Sequence, residues 1–219
     1  AGTWNSVDGC GVFVTSNGKD WDDIALKGFG DNGNFCATAL TVFKNHLYVG
    51  TWNPTKGGQL FRQPLGETSA WEPVTTDGFG DRNNESLSQL WVFDGFLYAA
   101  CPNYRQGVNL FRSSTGNPTE WESLEIPDLG VSGNSDISSA YVQGDCCLVG
   151  TETILPPANG GEIRRIRTGK TNPEWVILNI PGFGKRTNQH VGGLVIFQKN
   201  LYAVTWNGAH GFEIWKAPW

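Results

Sequence analysis

Methionine is missing from all 219 residues, histidine occurs only three times, and 17% of positions are charged. Without a methionine, Ala1 is not a translation start, so the chain is expected to be a processed product or part of a longer polypeptide. Runs of Ala, Glu, Lys and Leu at a 3.6-residue period are lacking, which excludes a helical bundle. No stretch of about 18 apolar residues occurs, so no transmembrane helix is expected. Sixteen basic residues stand against 21 acidic ones, for a net charge of −5. That balance argues against nucleic acid as the main partner, because a phosphate-binding surface needs concentrated positive charge. The one dense basic cluster, Arg164, Arg165 and Arg167 with Lys170 nearby, is expected to be a charged strand face. The five cysteines show no C-x-x-C pair or zinc-type spacing, and their odd number leaves at least one unpaired or bonded to another chain. Cys146 and Cys147 are adjacent and would point to opposite faces of a strand.

What is abundant is glycine (29 residues), tryptophan (10) and phenylalanine (12). Glycine supplies turns and aromatics fill sheet faces, so the composition is that of an all-β protein. Four markers then recur in one order. A glycine turn comes first: Gly28-Phe29-Gly30-Asp31, Gly78-Phe79-Gly80-Asp81, a worn Asp128-Leu129-Gly130, and Gly182-Phe183-Gly184. An apolar strand and hairpin follows, as in Leu40-Thr41-Val42-Phe43 with Leu47-Tyr48-Val49-Gly50, again at 90–98 and at 194–202. The third marker is a strand ending in a basic residue: Leu60-Phe61-Arg62, Leu110-Phe111-Arg112, Ile163-Arg164-Arg165 and Ile214-Trp215-Lys216. Last comes a lone tryptophan, at Trp21, Trp71, Trp121 and Trp175, a period of about 50 residues.

Each run is short, β-branched or aromatic, and bounded by Gly, Asn, Asp or Pro, so each repeat reads as four antiparallel strands. Lys44-Asn45 and Asp94-Gly95 serve as hairpin turns. One such sheet cannot bury both faces alone, so the repeats must pack on one another. The expected architecture is one β-propeller over residues 1–219, with repeat units near 1–27, 28–77, 78–127, 128–181 and 182–219. Five blades of four strands are expected. The N-terminal unit lacks its first strand and the C-terminal unit its fourth; these are expected either in sequence outside the given residues or from another chain through an open edge.

The segment Val14-Thr15-Ser16-Asn17-Gly18-Lys19-Asp20-Trp21 resembles a degenerate Asp-box, the turn between third and fourth strands of sialidase-type and related secreted propellers. At repeat level the whole chain resembles Asp-box and kelch-type propellers with a five-bladed, lectin-like architecture. Ser16 occupies the aspartate slot, and other copies carry insertions such as Asn117-Pro118. The resemblance implies a propeller fold and an extracellular or cell-surface location. The Asp-box is structural in that family and implies no catalysis.

In an antiparallel meander, the loop leaving the second strand shares an end with the loop entering the first. The thrice-repeated Thr-Trp-Asn therefore brings Trp4, Asn5, Trp52, Asn53, Trp206 and Asn207 to the same end as Asp31 and Asp81. An indole can stack on a sugar ring and a carboxamide can bind its hydroxyls; weak repeated sites gain by multivalency. The expected function is thus a non-enzymatic, lectin-like protein binding glycans. An assembly module of a larger extracellular complex and a glycan-active enzyme with an axial site are the alternatives. No cofactor is expected; calcium at Asp31-Asn32-Gly33-Asn34 or Asp81-Arg82-Asn83-Asn84 is the minor alternative to an ordinary Asx turn. Asp136, Glu152 and Glu162 are the carboxylates a glycosidase reading would use. His46 reads as surface, whereas His190 and His210 fall near the Trp/Asn end. Gly169-Lys170-Thr171 mimics the tail of a phosphate loop but lacks its upstream glycine and reads as a turn. Asn84-Glu85-Ser86 is the usable glycosylation sequon.

Overall fold

The computed structural model describes residues 1–67, 70–126, 129, 133–167 and 175–219. Among the described residues, seventeen strands form antiparallel sheets. The first sheet holds β1 (Val12–Val14) and β2 (Asp22–Ala25). The second runs β3 (Cys36–Phe43), β4 (His46–Trp52), β5 (Leu60–Pro64) and β6 (Glu72–Thr75) in order. The third repeats that order with β7 (Gln89–Phe93), β8 (Phe96–Cys101), β9 (Asn109–Ser113) and β10 (Glu122–Leu124). A seven-stranded sheet holds β11 (Asn134–Gln143), β12 (Cys146–Thr153), β13 (Ile163–Arg167) and β14 (Val176–Ile177) together with β15 (Asn188–Phe197), β16 (Asn200–Asn207) and β17 (Gly211–Pro218). The two repeats in it are joined by one pairing, Glu152 to His190. The Thr3-Trp4-Asn5 segment is held by the isolated bridges Gly2 to Val12 and Trp4 to Cys36.

The chain divides into two compact units: Ala1–Val92 with Phe96–Cys101 and Leu110–Ser123, and Phe93–Gly95 with Pro102–Asn109 and Leu124–Trp219. In the first, Phe43, Tyr48, Leu60 and Val74 of one repeat pack on Leu87, Leu90, Leu97 and Ala99 of the next. In the second, Leu148 and Ile163 pack on Val191, Leu201 and Ala203. Gly50 shows how close neighbouring repeats come: a Cβ added there would lie 2.7 Å from the Leu87 Cβ. In the last repeat that position is Val204, and Phe212, 70% exposed, stands where Gly58 meets Ser86 and Leu87.

The hairpins turn through paired left-handed residues, Lys44 and Asn45 (φ 44 and 62), Asp94 and Gly95, and Gln198 and Lys199, the twist a two-residue hairpin requires. The Gly-Phe-Gly turns are left-handed throughout, Phe29 included (φ 61). A phenylalanine resists that conformation, and its ring is held by a stack on Phe61 at 4.4 Å. Phe79 on Phe111 (4.2 Å) and Phe183 on Trp215 (4.8 Å) repeat the arrangement.

The fourth repeat departs from it. Leu129 replaces the phenylalanine, Asp128 and Gly130 lie outside the described residues, and Arg164 takes the place of Phe61. Arg164 is buried and pairs with the buried Glu162 at 2.7 Å. The expectation of a charged strand face is thereby corrected for Arg164. Arg167, exposed and 3.5 Å from Asp145, fits it; Lys170 and the Gly169-Lys170-Thr171 turn lie outside the described residues. The sequon is also closed: Asn84 is buried, its Nδ2 donating to the Gly78 carbonyl at 2.8 Å. In the Asp-box-like turn, Asn17 rather than Ser16 organises the loop, its Oδ1 accepting the Lys19 and Asp20 N–H groups at 2.8 and 2.9 Å.

Candidate functional site

Neighbouring residues of a strand point to opposite faces, and this parts each tryptophan from its asparagine. Trp4 is 67% and Trp206 52% exposed, while Trp52 is half-buried and meets the Phe35 ring edge-on at 5.7 Å. The carboxamides turn inward or into the loop. Asn5, Asn53 and Asn207 each accept the N–H groups two and three residues on, at 3.0–3.2 Å. Asn103 makes the same Asx turn in the third repeat.

Beneath these loops lies a buried polar network. Asn34 donates to Gly28 O at 2.8 Å and to Gln59 Oε1 at 2.7 Å, and its Oδ1 accepts from Thr51 and Asn53. Asn188 repeats the role with Gly182, Glu213 and Asn207. Asn134 takes bonds from Thr151 and Thr153 and donates to Glu162. The near 50-residue recurrence of Asn34, Asn84, Asn134 and Asn188 was the signal for this hub.

Asp31 belongs to the same network. Its carboxylate lies 2.7 Å from Lys56 Nζ and accepts from Gly33, Asn53 and Gln59. Burial pushes its pKa up, but the hydrogen bond from Lys56, the Gly33 N–H, the Lys56 charge and Gln59 outweigh that and hold it below the ordinary value. Asp81 accepts from both nitrogens of Asn83. The fifth repeat inverts the polarity, with Lys185 in the aspartate position and Glu213 as its partner. Among the described residues no cluster of three or more His, Cys, Asp or Glu side chains could hold a metal ion.

The second unit assembles a row that the repeat pattern does not encode. Asp136 pairs with Glu152, Glu152 with His190, His190 with Trp206, and Trp206 with Phe212. Directly opposed residues of antiparallel strands share a face, so two carboxyl groups, an imidazole and two aromatic rings follow one another across five strands. Tyr104 Oη reaches the Glu152 carboxylate at 3.5 Å. Glu152 stands where three other repeats carry tryptophan, which is why the search for Thr-Trp-Asn passed over it. Of the other histidines, His46 Nδ1 lies 3.0 Å from the Lys44 carbonyl, and His210 is exposed with its backbone N–H on Asn207. The five cysteines carry no disulfide.

No family model and no curated protein matches this chain. Solved structures do. YjhT is 14% identical over 93% of this chain and 66% of its own, with a TM-score of 0.56. A prolyl endopeptidase is 13% identical over 96% of this chain and 29% of its own, at 0.55. The chain thus spans less than two thirds of either. An α-L-arabinofuranosidase from Clostridium thermocellum is 13% identical over 93% of this chain and 72% of its own, at 0.49. Other similar structures are mostly glycoside hydrolases, among them further arabinofuranosidases and a β-xylosidase. The expectation of a non-enzymatic chain does not stand: the similar structures include an endopeptidase and glycoside hydrolases, and at 11–14% identity they show the fold alone. With its antiparallel four-stranded repeats and these neighbours, the chain is an all-β protein of the β-propeller fold.

Proposed function

We propose that this protein is directed at glycans and engages them through the row Asp136, Glu152, His190 and Trp206, with Trp4 and Trp52 as further indoles in the first unit. The observation that carries this reading is the half-exposed Trp206 paired across the sheet with His190, itself opposite Glu152. The indole stacks on the apolar face of a pyranose or furanose ring. The carboxylate and imidazole bond its hydroxyls. Asn5, Asn53, Asn207, Asp31 and Asp81 build the loops that present the indoles. The reading calls for no cofactor, and it goes with an extracellular or cell-surface location, where glycan polymers are met, and with kinship to Asp-box and kelch-type propellers of five blades.

A glycan-active enzyme is the second reading, and the Asp136–Glu152 pair favours it. Opposed residues place their Cβ atoms about 5 Å apart, a spacing compatible with the paired carboxyl groups of a retaining glycosidase. Arabinofuranosidases and a xylosidase among the similar structures direct the choice of substrates. The test is a glycan array followed by calorimetry on arabinan and xylan oligosaccharides. Trp206→Ala should weaken binding roughly tenfold; binding unchanged in Trp206→Ala and Glu152→Gln together removes the site. Release of reducing sugar that disappears in Glu152→Gln and Asp136→Asn establishes the enzymatic reading.

A further inference from the structure

The place of Glu152 is held in the other repeats by Trp4, Trp52, Pro102 and Trp206. Only the third repeat has proline there, and Pro102 is buried. Its aromatic residue comes two positions later, as Tyr104, where the other repeats have Ser6, Pro54, Ile154 and Gly208.

The turn fixes where that ring goes. Asn103 Oδ1 accepts the Arg105 and Gln106 N–H groups, each at 3.0 Å. The Asn103 N–H bonds the Ser135 carbonyl at 3.0 Å, tying the loop to the first strand of the fourth repeat. Tyr104 is thereby carried to the repeat boundary. It is 43% exposed, and its Oη lies 3.5 Å from Glu152 Oε2. Both residues belong to the second unit.

His190 and then Trp206 follow Glu152 along the row. Their rings lie over glycines: a Cβ added at Gly192 would be 3.3 Å from His190 Nε2, and one at Gly208 3.4 Å from Trp206 Cη2. The strands of Glu152 and Trp206 are two spacings apart, about 10 Å. A single sugar ring stacked on Trp206 therefore does not reach Tyr104.

We propose that the Tyr104 ring is the wall of a second sugar subsite, so that the site takes an oligosaccharide of two or more adjoining rings rather than one terminal sugar. A tyrosine ring offers an apolar face with a polar tip. With Trp206 beyond His190, the Glu152–His190 pair then meets hydroxyls near the middle of the ligand. This inference rests on the carbohydrate reading and adds the length of the ligand to it.

The probes are xylose through xylotetraose and arabinose through arabinotetraose, titrated calorimetrically. Affinity should rise roughly tenfold from one ring to three. Tyr104→Ala should flatten that rise, whereas Tyr104→Phe, which keeps the ring, should retain most of it. Trp206→Ala should weaken binding at every length. A rise with length that survives in Tyr104→Ala would overturn the proposal, and so would an equal fractional loss at all lengths, which would make Tyr104 a support of its loop. Affinity independent of length in the unaltered protein, but lost in Trp206→Ala, would overturn the second subsite and leave the carbohydrate reading standing. Absence of binding at any length would remove both.

Discussion

Asn34 donates from Nδ2 to Gln59 Oε1 at 2.7 Å, with both side chains buried beneath the loop that carries Trp52. The contact ties the glycine turn of one repeat to its third strand, and the Asn34 Oδ1 closes the circuit to Thr51 and Asn53. A buried polar group with every bond made stabilises; one stripped of its partners costs its full desolvation.

Asn34→Ala removes one buried hydrogen bond from each of Gln59, Thr51 and Asn53 at once. We expect a loss of about 3 kcal/mol in urea unfolding, with Asn188→Ala similar in the second unit. A loss below about 0.5 kcal/mol would mean that water replaces the carboxamide.

Arg164 and Glu162 are the ionic substitute for an aromatic stack. Glu162→Leu leaves a buried guanidinium without its carboxylate and should cost about 3–5 kcal/mol. Rewriting both positions to the second repeat's pair, Glu162→Gln with Arg164→Phe, should recover most of that loss, because well-packed apolar groups can replace a buried ion pair. Denaturation of the single and double variants gives the coupling, and additive losses would refute the equivalence.

Gly50 of the second repeat and Val204 of the fifth hold the same place and should differ in what the exchange costs. Gly50→Val drives a side chain into Leu87 and should cost roughly 3 kcal/mol by overpacking. Val204→Gly, on a 38% exposed site, should cost no more than about 1 kcal/mol. Thermal melts of the two variants decide it.

Burial, with the neighbouring Cys36 adding to it, pushes the Cys10 thiol up to about 11. Thiolate is the reactive form, so Cys10 should react with a disulfide reagent far more slowly in the folded protein than in urea at pH 8. Because the folded-state value lies above the unfolded one, the associated stability is complete below pH 9 and drains away as pH rises toward about 11. Equal rates folded and unfolded would contradict this.

Glu213 shows the reverse sign. The hydrogen bond from Lys185, then that from Asn188, hold its pKa below the ordinary 4.5 against a small opposing effect of burial. Its stabilising effect is present above pH 4.5 and is lost as pH falls through the folded-state value. Glu213→Gln should flatten the acid limb of the stability profile, as measured by unfolding between pH 3 and 6.

Local chemistry carried far in this chain. The hairpins at Lys44-Asn45 and Asp94-Gly95, the Gly-Phe-Gly turns and the order of strands within each repeat were all legible in the sequence. They depend on residues a few positions apart, and a period near 50 residues states them several times over. Their consequence, sheets that need neighbours, follows from one-sided burial alone.

Packing settled the rest. That Asn53 faces inward while Trp206 faces out, that Arg164 is buried where its sequence neighbours suggest a surface, and that Glu152 meets His190 depend on contacts between repeats. So does the cavity of about 260 Å³ that Phe183, Leu201, Ala203 and Trp215 line. Repeat sequences specify what each unit does alone; which positions differ in consequence is decided by the sheet that lies against them, since burial and pairing across units are properties of the neighbour as much as of the residue.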